Sequence, residues 1–386
     1  MEPEIAFSVA DNDFAMVPSG ARRRGLILDT IGGARETLDL LFYDFADDQS
    51  GVAVRDALIA AARRGVAVRL VIDGFGLRDM ADAETFFAPL REAGASGFAF
   101  NASLGRRYLI RNHQKILIAD GATAIIGGAN IADDYLGDED GCWRDLWLRV
   151  EGDCVVALGD YYDAIYEWMG DKKARLRKLA DLVARASTTS GPLQWQFSAP
   201  WPRHTPWPSG LIRDLWSAKE VDLVAAYFSP SAAMLRRLER VAKDGGRVNL
   251  LTPAKSDNDT TIAAARHNYH QLLEAGVEIH EYEKTKMHTK LVIVDDAVHI
   301  GSSNFDFRSL FLNLEVMLRI HDEKAAQLMR DWVRTELADS RAITPELHAR
   351  RDTLWQRTLW AISNFLVTSM DYTVSRRLNL PLGSDD

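Results

Sequence analysis

Only two cysteines occur in 386 residues, Cys142 and Cys154, with no metal-ligand spacing and no sign of a disulfide framework. They read as reduced and structural, which fits a cytoplasmic setting. The amino terminus lacks the basic start and apolar run of a secretory signal, and carries Glu2, Glu4 and Asp11 instead. No run approaches the ~20 apolar residues that a membrane-crossing helix requires. Positive charge is also short, with 46 Lys and Arg against 55 Asp and Glu and a formal charge of -9. That balance argues against a general nucleic-acid binder, whose affinity comes mainly from clustered cations on phosphates. Local basic clusters remain at Arg22 to Arg24, at Arg106 and Arg107 with Arg111, and at Lys284 with Lys286. The first of these reads equally well as a solvated charged face. What the chain does have is 47% hydrophobic content, enough for a substantial core and for two domains of ordinary size.

One motif occurs twice. His113-Gln114-Lys115 is followed by Asp120 and Asn130, and His288-Thr289-Lys290 by Asp295 and Asn304. On a strand of period two the His and Lys of each copy share a face. The apolar runs Ile116 to Ala119 and Leu291 to Val294 read as buried strand. Each copy then turns into a second apolar strand, Ala124 to Ile126 or Val298 to Ile300, ending in Gly127-Gly128-Ala129-Asn130 or Gly301-Ser302-Ser303-Asn304. The extra residue of the first turn is absorbed by a hairpin loop.

The duplication reaches well past the motif. Leu40-Leu41-Phe42-Tyr43 is echoed around Tyr227, Ala62 to Leu70 by Ala242 to Leu250, and Leu90 to Gly94 by Leu272 to Gly276. Each half therefore alternates strand and helix before its hairpin, which predicts two α/β sandwich domains, each with a mixed, mostly parallel sheet. The turn-rich stretch Ser187 to Pro192 marks a linker, and Leu193 to Phe197 alternates like Glu4 to Ser8. Expected domains are 1–186, 187–345 and a helical tail, 346–386. Each half holds one His-Lys set, so a working centre is expected at the domain interface, a common place for a ligand cleft.

The doubled pattern His-x-Lys, four residues, Asp, then Gly-Gly/Ser-x-Asn resembles the phospholipase D superfamily. Tyr108 to His113, Gly127 to Tyr135, Trp143-Arg144-Asp145, Tyr227 to Pro230, Asn304 to Ser309 and Asn313 to Glu315 are similar to the bacterial cardiolipin synthases within it. The resemblance covers roughly residues 20 to 320. It points to the shorter members without amino-terminal membrane-spanning helices, working peripherally at the cytoplasmic side of the cell (inner) membrane. It also assigns His113 as nucleophile and His288 as acid/base, although the residues themselves are nearly symmetric. An orienting carboxylate is implied in each half, Glu315 in the second and Asp145 in the first.

Paired imidazoles and ammonium groups suit phosphodiester exchange without a metal or other cofactor. Lys115, Lys290, Asn130, Asn304 and Ser302 can donate to the non-bridging oxygens. One neutral ring can attack phosphorus while the other, protonated, donates to the leaving alcohol. A lone buried His is usually a satisfied core residue, but two with Lys, Asp and Asn at matched spacing are not. His267, His270, His280, His299 and His321 lack such company and read as ordinary. Asp120 and Asp295 belong to the motif, yet their place at a strand end suits a hairpin brace on turn amides.

For substrate, the resemblance implies phosphatidylglycerol, with phosphatidylethanolamine as an alternative for one partner, a membrane surface, and no nucleic acid. The activity implied is cardiolipin synthesis. Alternatives of the same superfamily are a phospholipase D hydrolase and a phosphodiesterase or nuclease; a lipid-binding scaffold is the non-enzymatic alternative. In the tail, Trp355, Leu359, Ile362, Leu366, Met370, Val374 and Leu378 form a helical stripe, widened by Trp360, Phe365 and Val367. Gln356, Arg357, Ser363, Asn364, Ser375 and Arg376 line its other side. Such a helix can lie on lipid, with Arg376 and Arg377 near anionic headgroups, or pack on the enzyme's own body.

Overall fold

The computed structural model describes residues 2–101, 110–200 and 205–369. Arg106 to Leu109 and Met370 to Leu378, singled out above, lie outside the described residues. The chain divides into two compact units, Met1–Trp207 with Ile300–Ser303 and Phe311–Ile320, and Pro208–His299 with Asn304–Leu310 and His321–Asp386.

The first repeat builds a sheet from β1 (Ile5–Val9), β2 (Asn12–Val17), β3 (Thr37–Phe42), β4 (Ala67–Asp73), β5 (Ser96–Phe100), β6 (Ile116–Ala119), β7 (Thr123–Gly127) and β8 (Trp147–Glu151). Its order is β1-β2-β8-β7-β6-β3-β4-β5. Helices α1 (Gly20–Gly33), α2 (Gln49–Arg63), α3 (Ala83–Glu92) and α4 (Cys154–Gly170) accompany it. Ser19 and Asp48 start the first two of these by accepting from the amides of Arg22 and Gly51, satisfying donors that a helix start leaves open. Alternate residues of β3 and β4, among them Leu38, Leu40, Phe42, Val68 and Leu70, form a core with Val54 and Leu58 of α2. Each such side chain contributes about 1.5–3 kcal/mol of transfer free energy when fully buried.

The second repeat uses β9 (Leu193–Ser198), β10 (Glu220–Ala225), β11 (Arg247–Pro253), β12 (Glu278–Tyr282), β13 (Lys290–Val294), β14 (Ala297–Gly301), β15 (Glu315–His321) and β16 (Ser340–Ala342). Their order is β9-β15-β14-β13-β10-β11-β12-β16, the same plan strand for strand from β9 to β12. Helices α5 (Ala232–Lys243), α6 (Asp259–His267), α7 (Glu323–Ala338) and α8 (Leu354–Ser369) belong to the second unit.

Two expectations are corrected here. The sheets are mixed but not mostly parallel: in the first, only β3 with β4 and β4 with β5 run parallel, and the other pairings are antiparallel. Only those two steps have a helical crossover, whereas the motif strands are joined by tight turns that reverse the chain. Secondly, β9 takes the position of β2, not of residues 4 to 8. Residues 5–9 and 12–17 form a hairpin through Ala10 and Asp11, both at positive φ; the first strand alternates in burial at the sheet edge, whereas the second is almost wholly buried and is the one that pairs with β8.

Candidate active site

In the first unit, Asn112 anchors the approach to β6. Its amide donates to Asp73 Oδ2 at 2.7 Å and its side-chain amide to Phe42 O at 3.3 Å. Leu314 O accepts from the His113 amide, and Leu314 N donates to Arg111 O. This two-way pairing brings Glu315 beneath His113, 202 residues away in sequence. His113 Nδ1 lies 3.0 and 3.1 Å from the two carboxylate oxygens of Glu315. Glu315 is fully buried and His113 is 12% exposed, so the ring keeps one edge toward solvent. Ser302 Oγ donates to Glu315 Oε2 at 2.5 Å, and Gln114 Nε2 donates to Glu315 O and to Tyr161. A carboxylate on Nδ1 holds the ring as the tautomer whose Nε2 carries the lone pair.

Sequence reasoning had given Glu315 to its own half. The structure gives it to the ring of the first motif, because the stretch Phe311–Ile320 folds with the first unit.

Each Lys is tethered to its own motif: Lys115 Nζ donates to His113 O at 2.7 Å and Lys290 Nζ to His288 O. Both lysine side chains are buried, although the strands begin only at Ile116 and Lys290. A Tyr stands edge-on to each ring, Tyr43 at 5.2 Å from His113 and Tyr227 at 6.3 Å from His288. Lys115 Nζ also lies 5.3 Å from the Tyr43 centroid, within cation–π range. The two tyrosines were noticed only as echoes in the duplication; recurring at one place in both halves was the signal that they border the site.

Asp120 and Asp295 sit at the far ends of β6 and β13 from the lysines. Asp120 accepts from the amides of Arg35, Glu36 and Thr37, and Asp295 from those of Lys219 and Glu220. Both adopt positive φ in the hairpin turn. Partial burial alone would raise the Asp120 carboxyl, but the three amides outweigh it and hold it below the usual range. The geometry is that of a brace, away from the imidazoles.

Asp145 and Glu315 occupy equivalent places. Gly128 N donates to Leu146 O and Ser302 N to Val316 O, which sets each carboxylate against the second residue of the Gly-Gly/Ser-x-Asn turn. A Cβ at Gly128 would lie 2.5 Å from Asp145 Oδ1, so only glycine fits there. Asp145 is fully buried and also accepts from its neighbour's amide, Leu146 N, at 2.7 Å. Asn130 and Asn304 are both buried, and Asn130 Oδ1 meets no protein donor among the described residues.

Asp44, next to Tyr43, was also missed. Burial pushes its carboxyl up to about 6, against the pull of Lys115. No echo marks it, since the second half places Phe228 after its Tyr. His299, read as ordinary, is a buried partner of Asp214 at 2.8 Å. Among the described residues no three His, Cys, Asp or Glu side chains are grouped to hold a metal ion.

Comparison with known proteins agrees with this arrangement. Residues 27–141 and 211–336 match the family described as cardiolipin synthase, phospholipase D-like domain. The chain is 31% identical to the major cardiolipin synthase of Bacillus subtilis, over 92% of this chain and 75% of that protein. It is 31% identical to cardiolipin synthase 1 of Staphylococcus epidermidis, over 90% and 72% respectively. The fold is also that of the phosphatidylserine synthase of Haemophilus influenzae, with a TM-score of 0.75 at 15% identity, covering 98% of this chain and 97% of that one. The chain belongs to the cardiolipin synthase family of phospholipase D-like proteins.

Proposed function

We propose that this protein is a phosphatidyltransferase that makes cardiolipin from two phosphatidylglycerol molecules, through a phosphatidyl-histidine intermediate. The observation that carries the mechanism is the Nδ1 of His113 held by buried Glu315, which leaves Nε2 as the nucleophile. Nε2 attacks phosphorus, the bond to the glycerol oxygen breaks, and that oxygen takes a proton from the His288 imidazolium. The neutral His288 then accepts the proton of the second lipid's glycerol hydroxyl as its oxygen displaces His113. Two phosphatidylglycerols give one cardiolipin and one glycerol, and both rings return to their starting states. Lys115, Lys290, Asn130 and Asn304 are the proposed donors to the phosphate oxygens, in place of a metal; the one hydroxyl proton of Ser302, expected from sequence to join them, is bonded to Glu315 and orients that carboxylate instead. Asp145 is proposed as a supporting carboxylate, equivalent in position to Glu315.

No described helix is long and apolar enough to cross a membrane. The enzyme is proposed to work peripherally, on the cytoplasmic face of the cell membrane. Purified protein incubated with labelled phosphatidylglycerol should yield cardiolipin and glycerol by mass analysis. Phosphatidic acid without cardiolipin would make it a hydrolase instead.

A further inference from the structure

Among the described residues few large apolar side chains are well exposed, and four of them stand on α8: Leu354, Trp355, Ile362 and Phe365, at 83%, 74%, 47% and 62%. The single stripe expected from sequence is in fact two faces. Leu359, Trp360, Ser363, Leu366 and Val367 are buried, on the side that packs against α6. That side is pinned by further contacts within the same unit. Ser229 Oγ donates to Asn364 Oδ1 at 2.6 Å, and Trp360 stacks on His348 at 5.4 Å. Ser363, expected on a polar side, is fully buried. At about 100° per residue, positions 354, 355, 358, 361, 362 and 365 share one outward arc. Between Leu354 and Phe365 no polar group but the Thr358 hydroxyl interrupts it.

We propose that this outward face of α8 is where the protein meets an anionic phospholipid bilayer, with the helix lying along the lipid surface. The proposal rests on the reading of the substrate as phospholipid. Charge complementarity supports the occupant. In a chain of net charge -9, no Asp or Glu occurs between Asp352 and Asp371, while exposed Arg350 and Arg357 stand at the start of the helix, Arg357 paired there with Asp352 at 2.6 Å. Arg376 and Arg377 follow in sequence. Tryptophan, phenylalanine and leucine are the side chains that settle at the boundary between headgroups and acyl chains. The alternative occupant, a second copy, is poorly served. A helix of sixteen residues is about 24 Å long. A stripe roughly 10 Å wide on it offers about 240 Å², against about 800 Å² per partner in a stable interface.

The test is sedimentation of the full-length protein with vesicles of phosphatidylglycerol and phosphatidylcholine, comparing wild type with Trp355→Ser/Ile362→Ser/Phe365→Ser. The triple variant should lose at least about tenfold in vesicle binding, while Trp355→Phe retains it. Both proteins should turn over a short-chain phosphatidylglycerol dissolved as monomers at equal rates, which also shows that the variant is folded. Equal sedimentation of wild type and triple variant would overturn the proposal. So would light scattering that finds a wild-type dimer and a monomeric variant with unchanged vesicle binding. Failure to turn over even the dissolved lipid, with vesicle binding intact, would count against the substrate reading alone.

Discussion

In the proposed cycle the chemistry at His113 turns on one proton. With Nδ1 bonded to Glu315, the ring is fixed in orientation, and the positive charge it would develop in the proposed attack has a buried carboxylate beside it. Glu315→Gln keeps the shape and removes the charge. It should lower kcat by about 10²-fold or more and alter the pH–rate profile, with the melting temperature little changed. An unchanged profile would mean that the carboxylate only fills space. Asp120 should behave in the opposite way. Asp120→Ala strips acceptors from three amides, so it should cost about 1–3 kcal/mol of stability while kcat stays within an order of magnitude. Because that carboxyl is held below its ordinary pKa, its contribution is present above the usual carboxylate range and lost as pH falls through the lowered value. The gap between wild type and variant should therefore close on acidification. For Asp44 the sign reverses. Its carboxyl is raised to about 6, so wild type loses stability as pH rises through that value, and Asp44→Asn should melt higher at pH near 7.5 but not near pH 4. Melting curves at the two pH values decide it.

At the scale of elements, the motif hairpin and the strand beside it act as one device. The β6–β7 hairpin presents Lys115 at one end and is tied by Asp120 at the other, and β8 sets Asp145 against Gly128. Gly128→Ala would press a methyl onto a buried carboxylate. It should cost about 1–3 kcal/mol in denaturant unfolding, as overpacking does, with a fall in activity. An unfolding midpoint equal to wild type would show that Asp145 has room to move. The hairpin itself was legible from apolar runs and turn residues, whose periods are local. The antiparallel majority in the sheets was not, because alternation of strand and helix reveals crossovers but not which strand lies beside which. The same limit hid the equivalence of β9 with β2.

For the whole molecule, the proposed cycle needs both imidazoles on the same turnover. His113→Ala and His288→Ala should each lower kcat by about 10³-fold or more, and the double variant should be no worse than the poorer single one. Multiplied losses would mean two independent centres. Chelator should leave cardiolipin formation unchanged, since the lysines are proposed to carry the charge that a metal would otherwise offset. Loss of activity on chelation, restored by a divalent cation, would contradict that.

The duplicated motifs and the family to which the chain belongs were set by sequence alone, because motif spacing and strand period are properties of neighbouring residues. Tertiary structure decided that Glu315 holds the His113 ring, that Asp120 and Asp295 brace turns, and that α8 has one face taken and one left outward. Each of these depends on chain segments far apart in sequence, such as Glu315 and His113, and only the folded backbone sets their distance.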